Sequence, residues 1–295
     1  MVPKNSKFKI GKVAPGERFL QETDTFDTWF SSGQWPLVTL GYPNSEDFKY
    51  FYPTSVLETG WEILSKWVSR MIMFGIYLTG KPPFTDVYLH GIVKSTDGRK
   101  MSKSLGNEIN PEEYQAEFGT DALRMGLVSG TAGGKDFSFP REKIIGYRNF
   151  SNKIWNMARF LEMMFEKFES ENGKKISKFE TGLSNTDKSI LENLQFTISN
   201  VDENLEKYRL SDAAEAIYHF MWDEIADKYI EDVKKREVSA EKEIGLSVLN
   251  YVFTNCLKLL HPFMPFVTEE IWNNLSGILA VGEEKKPLIA SSWPK

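Results

Sequence analysis

Thr54-Ser55-Val56-Leu57-Glu58-Thr59-Gly60 is a short β-branched run that a glycine closes. The composition suits a strand. Behind it, Trp61 to Leu78 carries apolar residues at Ile63, Leu64, Trp67, Val68, Met71, Ile72 and Tyr77, close to helical spacing, until Gly80-Lys81-Pro82-Pro83 stops it. Phe84-Thr85-Asp86-Val87-Tyr88-Leu89 then reads as a second strand that ends at His90-Gly91. Strand, helix and strand of these lengths predict a parallel pair with a right-handed crossover. Ligands of such sheets sit at the carboxyl ends of the strands. Thr59, Gly60, Glu62, His90 and Gly91 fall there.

The next stretch is Gly98-Arg99-Lys100-Met101-Ser102-Lys103-Ser104-Leu105-Gly106-Asn107. Only Met101 and Leu105 can pack as core, so it reads as an exposed loop. Two lysines on a hydroxyl-rich loop suit a polyanion whose charge is held briefly, such as a triphosphate losing pyrophosphate. A solvated basic turn is the plainer reading of any lysine pair. From Lys94 to Lys103, four cations face one anion, Asp97. Farther on, Thr131 to Asp136 is glycine-rich but fails as a Walker A loop. Ser129 stands where the first glycine belongs, and Asp136 follows Lys135 in place of Ser or Thr. It reads as a turn.

Outward again, residues 1–22 are polar, with the look of a severed linker or the tail of a preceding domain. Asp24 to Gly33, with Trp35, Tyr42 and Tyr50 after it, is rich in aromatics, for which core is the commoner expectation. Pro111 opens a short helix to Phe118, and a second begins near Thr120. From Pro140 the pattern is helical almost throughout. One helix carries Ile144, Phe150, Ile154 and Leu161, and another starts in the Ser184–Asp187 cap cluster. A third is capped by Ser211-Asp212, a fourth runs from about Ala240 to Leu260, and Thr268-Glu269-Glu270 caps a last one through Trp272. Amphipathic helices with short loops make a bundle.

Composition sets the outer bounds. The 295 residues suffice for two domains with cores. No apolar run reaches the roughly 18 residues of a membrane helix, and the lysine-rich start lacks the apolar core of a signal peptide. The single cysteine, Cys256, excludes an internal disulfide framework and a cysteine-rich zinc site; three scattered histidines do not restore a metal site. A cytoplasmic protein is expected. The net charge of −5 argues against a wholesale nucleic-acid coat, but RNA needs only a local basic face.

The string Lys100-Met101-Ser102-Lys103-Ser104 resembles the ATP-handling loop of class I aminoacyl-tRNA synthetases. Further blocks resemble the valyl-tRNA synthetases: Asp27-Thr28-Trp29-Phe30-Ser31-Ser32, Tyr52-Pro53-Thr54-Ser55-Val56 and Val87-Tyr88-Leu89-His90-Gly91. So do Gly146-Tyr147-Arg148-Asn149-Phe150 with Asn152-Lys153-Ile154-Trp155-Asn156, and His261-Pro262-Phe263-Met264-Pro265-Phe266. Isoleucyl enzymes share the lysine loop. They typically have Trp-Phe-Asp-Ser-Gly where this chain has Trp29-Phe30-Ser31-Ser32-Gly33, and Asp-Gln-His-Arg-Gly-Trp where it has Glu62 to Trp67. The resemblance implies an α/β plus all-α fold. The C-terminal half of a Rossmann-type catalytic domain (23–107) is followed by a stem-contact segment (108–139) and a helical anticodon-binding bundle (140–295).

The same resemblance implies roles. Lys100 and Lys103 hold the triphosphate, with Met101, Ser102 and Ser104 in the ATP-binding loop, where the serines either shape the loop or touch substrate. His90 and Gly91 lie against adenine, or His90 is only a bonded strand-end histidine. Trp29, Glu62, Ile63 and Trp67 line the amino-acid pocket, unless Trp67 is core; Glu62 also reaches the ribose or the substrate amine. Asn107 ties the loop to the body. Arg148, Asn152, Lys153, Asn156 and Arg159 contact tRNA, or form a solvated helix face. The implied substrates are valine, tRNA(Val) and ATP with Mg, with no protein-bound metal. The His-Ile-Gly-His motif of the family, its editing insertion and its C-terminal coiled coil are absent from this sequence, which suggests a separate N-terminal half as partner. A non-catalytic tRNA-binding module and an isoleucyl fragment are the alternatives.

Overall fold

The structure, a computed structural model, describes residues 11–13, 16, 19, 21–96, 98–101, 107–176, 179, 181–275 and 286–295. Two compact units divide the chain, Met1–Val87 and Tyr88–Lys295.

The first unit opens with three short helices, α1 (Thr28–Ser32), α2 (Trp35–Thr39) and α3 (Glu46–Phe51). Side chains start two of them. The Asp27 carboxylate accepts the Trp29 N–H at 2.7 Å, and Ser45 Oγ accepts that of Asp47 at 3.2 Å. Strand β1 (Thr54–Gly60) and strand β2 (Phe84–His90) follow, paired in a two-stranded sheet. Between them the helical path expected from Trp61 to Leu78 is present but changes winding. A 3₁₀ turn over Trp61–Ile63 passes into a π turn over Leu64–Val68 and then into α4 (Ser69–Thr79). Apolar spacing read by eye does not separate these windings, which differ by one residue per hydrogen-bonded ring. Gly80, at φ +75°, ends α4 in the left-handed conformation.

Little of this unit is buried. Leu57, Val68, Met71 and Phe84 form its hydrophobic cluster, with Trp67, Ile72 and Val87 packed against it. The expectation that the early aromatics are core is corrected: Phe26 is 75% exposed, and Trp35 and Tyr50 are exposed as well. They pack on one another instead, Phe26 stacking on Phe30 at 4.3 Å and Trp35 meeting Trp67 edge-on at 6.1 Å.

In the second unit, strand β3 (Val93–Lys94) pairs in parallel with β4 (Phe137–Ser138), Val93 opposite Phe137 and Lys94 opposite Ser138. Helices α5 (Pro111–Phe118) and α6 (Thr120–Val128) lie between them in sequence. The bundle comprises α7 (Arg141–Asn172), α8 (Asn185–Glu206), α9 (Leu210–His219), α10 (Ile230–Lys235), α11 (Ser239–Leu260) and α12 (Pro265–Asn274). A π segment, Phe220–Tyr229, joins α9 to α10. Ser184 caps α8 through a reciprocal box with Asp187, as the sequence indicates. Two expected starts are corrected. Helix α9 begins at Leu210, and Ser211 lies inside it, its hydroxyl accepting the Gly130 N–H at 2.7 Å. Helix α12 begins at Pro265, and Thr268 donates back to the Met264 carbonyl at 2.8 Å.

The bundle core runs through Phe150, Ile154, Leu161, Leu194, Val201, Ile217, Met221, Val252 and Leu257, all at most 1% exposed. Helix α11 is buried from Leu246 onward with few breaks, and Cys256 sits within it fully enclosed. One polar network is sealed into this core. Asp187 Oδ1 accepts from Tyr229 Oη (2.6 Å) and Arg236 Nη2 (2.7 Å), and Oδ2 from the Ser184 N–H and hydroxyl (both 2.9 Å). Burial alone pushes this carboxyl up; the hydrogen bonds from Arg236, Tyr229 and Ser184 outweigh it and hold it below the usual carboxylate range.

Candidate functional site

The base of the lysine loop is an assembled structure. From β3 the chain turns at Ser95, whose N–H and Oγ both donate to the Arg99 carbonyl, at 3.0 and 2.9 Å. Gly98 donates to the Ser95 carbonyl at 2.8 Å and sits at φ +78°, a conformation glycine adopts without penalty. Lys94 and Lys100 meet across an antiparallel bridge. Asn107 closes the far side, its amide 3.3 Å from both Ser95 Oγ and the Lys100 carbonyl. Met101, half-buried, takes the Ile109 N–H on its sulfur at 3.4 Å. Ser102, Lys103 and Ser104 lie outside the described residues.

Immediately upstream, Gly91 is buried where two backbones cross. A Cβ there would stand 1.7 Å from the Lys135 carbonyl oxygen, so the glycine is a steric requirement. His90 is exposed at the strand end, and its Nδ1 lies 2.9 Å from the Gly91 carbonyl. A carbonyl only accepts, so the ring proton sits on Nδ1. His90 thus ends β2, Gly91 follows it, and Lys100 is bridged to Lys94 of β3.

The residues expected to form an amino-acid pocket lie in the first unit. Trp67, half-buried, donates its indole N–H to the Ser32 carbonyl at 3.0 Å, fixing it against the end of α1. Trp29 is half-buried on α1, and Glu62 (exposed) and Ile63 (half-buried) follow β1 directly. A groove of about 730 Å³ opens in this unit between α1 and α4, lined by Phe30, Arg70, Met73, Phe74, Ile76 and Tyr77 with Asp27 at its edge. None of Trp29, Glu62, Ile63 or Trp67 lines it.

On α7, Arg148, Asn152, Asn156 and Arg159 recur every three or four residues and form one stripe. Asn152, Asn156 and Arg159 are exposed, while Arg148 is half-buried with its guanidinium 5.9 Å from the Phe118 ring. Lys153 faces a different way. Its ammonium pairs with Asp227 at 3.0 Å and lies 4.7 Å over the Trp222 ring. The expected row of five is therefore a row of four, and the fifth is engaged within the bundle.

Two acids that no local pattern marks are engaged at long range. Asp121 accepts the N–H groups of Phe266 (3.2 Å) and Val267 (2.6 Å), capping α12 across the fold. Burial pushes its carboxyl up, against those two hydrogen bonds. Beside it, Arg124 donates to the Phe263 and Pro262 carbonyls, so α6 docks the His261–Phe266 block. Asp136 accepts the Ile92 N–H at 2.9 Å and pairs with Lys94 at 2.9 Å. Among the described residues no group of three or more His, Cys, Asp or Glu can hold a metal ion.

Comparison with known proteins covers both units. Residues 3–140 match the family of tRNA synthetases class I (I, L, M and V), and residues 187–295 match the anticodon-binding domain of tRNA ligases. Both matched segments are thus similar to parts of class I tRNA synthetases. Its curated relatives include valine–tRNA ligases. That of Staphylococcus carnosus (strain TM300) is 45% identical over 97% of this chain and 32% of the relative. That of Clostridium acetobutylicum is 44% identical over 94% of this chain and 31% of the relative. The chain spans about a third of the length of these curated relatives. Two solved class I synthetases share the fold. The LeuRS of Agrobacterium radiobacter K84, in a ternary complex with tRNA and LeuAMS, superposes with TM-score 0.71 at 23% identity, over 93% of this chain and 34% of that one. The methionyl-tRNA synthetase of Mycobacterium tuberculosis, bound to methionyl-adenylate, gives 0.72 at 22% identity, over 90% and 54%.

Proposed function

We propose that this chain supplies the lysine loop, part of the amino-acid pocket and the tRNA-binding bundle of a valine–tRNA ligase. The carrying observation is identity of 42–46% to valine–tRNA ligases along nearly the whole chain, with the lysine string intact at the end of an ordered stem. In this reading the valine carboxylate attacks the α-phosphate of ATP, pyrophosphate leaves, and valine then passes from the adenylate to the tRNA 3′ end. Lys100 and Lys103 face the β- and γ-phosphates, where negative charge grows as the α–β bond breaks; fixed cations act most strongly there. Magnesium arrives with the nucleotide as part of the substrate. His90 and Gly91 flank adenine, and Trp29, Glu62, Ile63 and Trp67 bound the valine side. Met101, Ser102 and Ser104 shape the ATP loop.

On the bundle, Arg148, Asn152, Asn156 and Arg159 meet tRNA(Val) phosphates, which positions the RNA without reading its sequence. Functionally, 23–107 acts as the catalytic half, 108–139 as the stem contact and 140–295 as the anticodon-binding domain of a cytoplasmic enzyme. The partner that completes the site is the rest of a class I catalytic domain, seated on the exposed apolar face of α4. The small core of the first unit and the greater length of the relatives support this. No described helix is long and apolar enough to cross a membrane.

The test is valine-dependent ATP–pyrophosphate exchange. The 295-residue chain alone is expected to be silent, and adding the N-terminal segment of a valine–tRNA ligase in trans restores exchange. Robust exchange by the chain alone sinks the split-site reading. Exchange with isoleucine and not valine moves the assignment to the isoleucyl enzymes. Salt-dependent tRNA binding without any exchange, indifferent to Lys103→Ala, makes the chain a binding module.

A further inference from the structure

We propose that Asp136 is a positioning residue for the lysine loop, acting through β3. The proposal rests on reading Lys100 and Lys103 as the phosphate-facing cations. In sequence, Lys94 counts among the cations around that loop; in the fold its charge is already committed. Lys94 Nζ lies 2.9 Å from Asp136 Oδ2, while Oδ1 of the same carboxylate accepts the Ile92 N–H at 2.9 Å. One side chain thus holds the chain at two points, the backbone of Ile92 just before β3 and the side chain of Lys94 within it.

The turn that carries Asp136 reinforces the grip. Gly134 donates to the Leu89 carbonyl at 2.7 Å, Phe137 donates to the Ile92 carbonyl at 3.2 Å, and Gly91 lies directly against Lys135. Between Leu89 and Lys94 the chain is therefore held to 134–137 at Leu89, Ile92 and Lys94. What is held leads straight into the loop base through the Lys94–Lys100 bridge and the Ser95–Arg99 bonds.

Stability does not explain this arrangement. The pair is partly open to solvent, with side chains 35% and 21% exposed, and such pairs add little to stability. Placement does. A displacement of about 1 Å at a reacting centre costs on the order of 100-fold in rate. Two lysines on a loop reach the phosphates reproducibly only if the strand at its base is held.

Two variants separate the two grips. Asp136→Asn keeps an acceptor for the Ile92 N–H and loses the charge pair; Asp136→Ala loses both. In the full chain, hydrogen exchange at the Ile92 amide rises roughly tenfold in Asp136→Ala and stays near the parent value in Asp136→Asn, as expected from loss of one partly shielded hydrogen bond. In the mixture completed by the N-terminal segment of a valine–tRNA ligase, kcat for exchange falls about 100-fold in Asp136→Ala and about tenfold in Asp136→Asn, while KM for valine is unchanged. Lys94→Met reproduces Asp136→Asn, and the double variant is no worse than either single one. An active mixture whose kcat stays within about twofold in Asp136→Ala overturns the positioning role alone. A silent parent mixture, with Ile92 protected, sinks the synthetase reading and takes this role with it.

Discussion

The two units of this chain solve the problem of burying apolar side chains to very different degrees. From Tyr88 onward, long helices with apolar residues every three or four positions enclose a continuous core, and even a carboxylate, Asp187, is taken inside with every oxygen bonded. Up to Val87, the sequence is at least as rich in aromatics, yet one small cluster around Met71 is buried while Phe26, Tyr50, Met73 and Tyr77 stand in solvent. Apolar content therefore does not by itself make a core. What differs is the number of elements available to cover each face: the bundle has neighbours on every side of α11, whereas a two-stranded sheet with one crossover helix offers one covered side.

Four experiments press on that contrast, the largest expected effect first. Asp187→Ala removes the acceptor shared by Arg236, Tyr229 and Ser184, leaving Arg236 to Asp232 and the Glu241 carbonyl and Tyr229 to the Gly245 carbonyl. Removing one partner of a buried pair costs about 3–5 kcal/mol. The calorimetric transition of the bundle is expected to fall steeply while the first unit is unmoved; a common shift of both would erase the division. Its pH dependence has a definite sign. The folded carboxyl titrates below its unfolded value near ~3.9, so the stabilisation is full above that pH and disappears as pH falls through the lower folded value. Acid unfolding of the parent should therefore show a component that Asp187→Asn lacks.

Next comes a matched pair of methionines. Met221→Ala, at a side chain with no exposure, is expected to cost about 2–5 kcal/mol, and Met73→Ala, at one 68% exposed, within about ±0.5 kcal/mol. Equal costs in a denaturant titration would mean that the first unit is better packed than its surface indicates. Asp121→Ala removes the cap on α12 and is expected to cost about 1–2 kcal/mol, visible as faster hydrogen exchange at Phe266 and Val267. Smallest in stability is Tyr77→Ser on the outer face of α4, again within about ±0.5 kcal/mol. It is nonetheless expected to reduce self-association and to weaken rescue by the N-terminal segment; unchanged rescue would place the partner elsewhere.

What could be read in the sequence follows from the range over which each signal acts. The β1–α4–β2 succession, the capping box at Ser184 and the helices through Ile154 and Val252 are local patterns, and the fold keeps them. The Lys-Met-Ser-Lys-Ser string is likewise legible because its residues are contiguous. Asp136 and Asp121 were not legible. Their partners lie 44 and about 145 residues away, and an acid in a turn or in the first turn of a helix looks the same whether it caps a distant element or faces water. The misread starts of α9 and α12 share that cause, since Ser211 and Thr268 have capping chemistry but spend it elsewhere. Helical spacing groups Lys153 with Asn152, and only the fold brings Asp227 and Trp222 against it.

One buried atom gives the bundle a reporter of its own. Cys256 is the single thiol of the sequence and is wholly enclosed in α11, and burial pushes its pKa up, so in the closed state there is neither access nor thiolate for a reagent to attack. Alkylation must wait for the helix to open. Its rate, followed against reagent concentration, reports how often that helix opens.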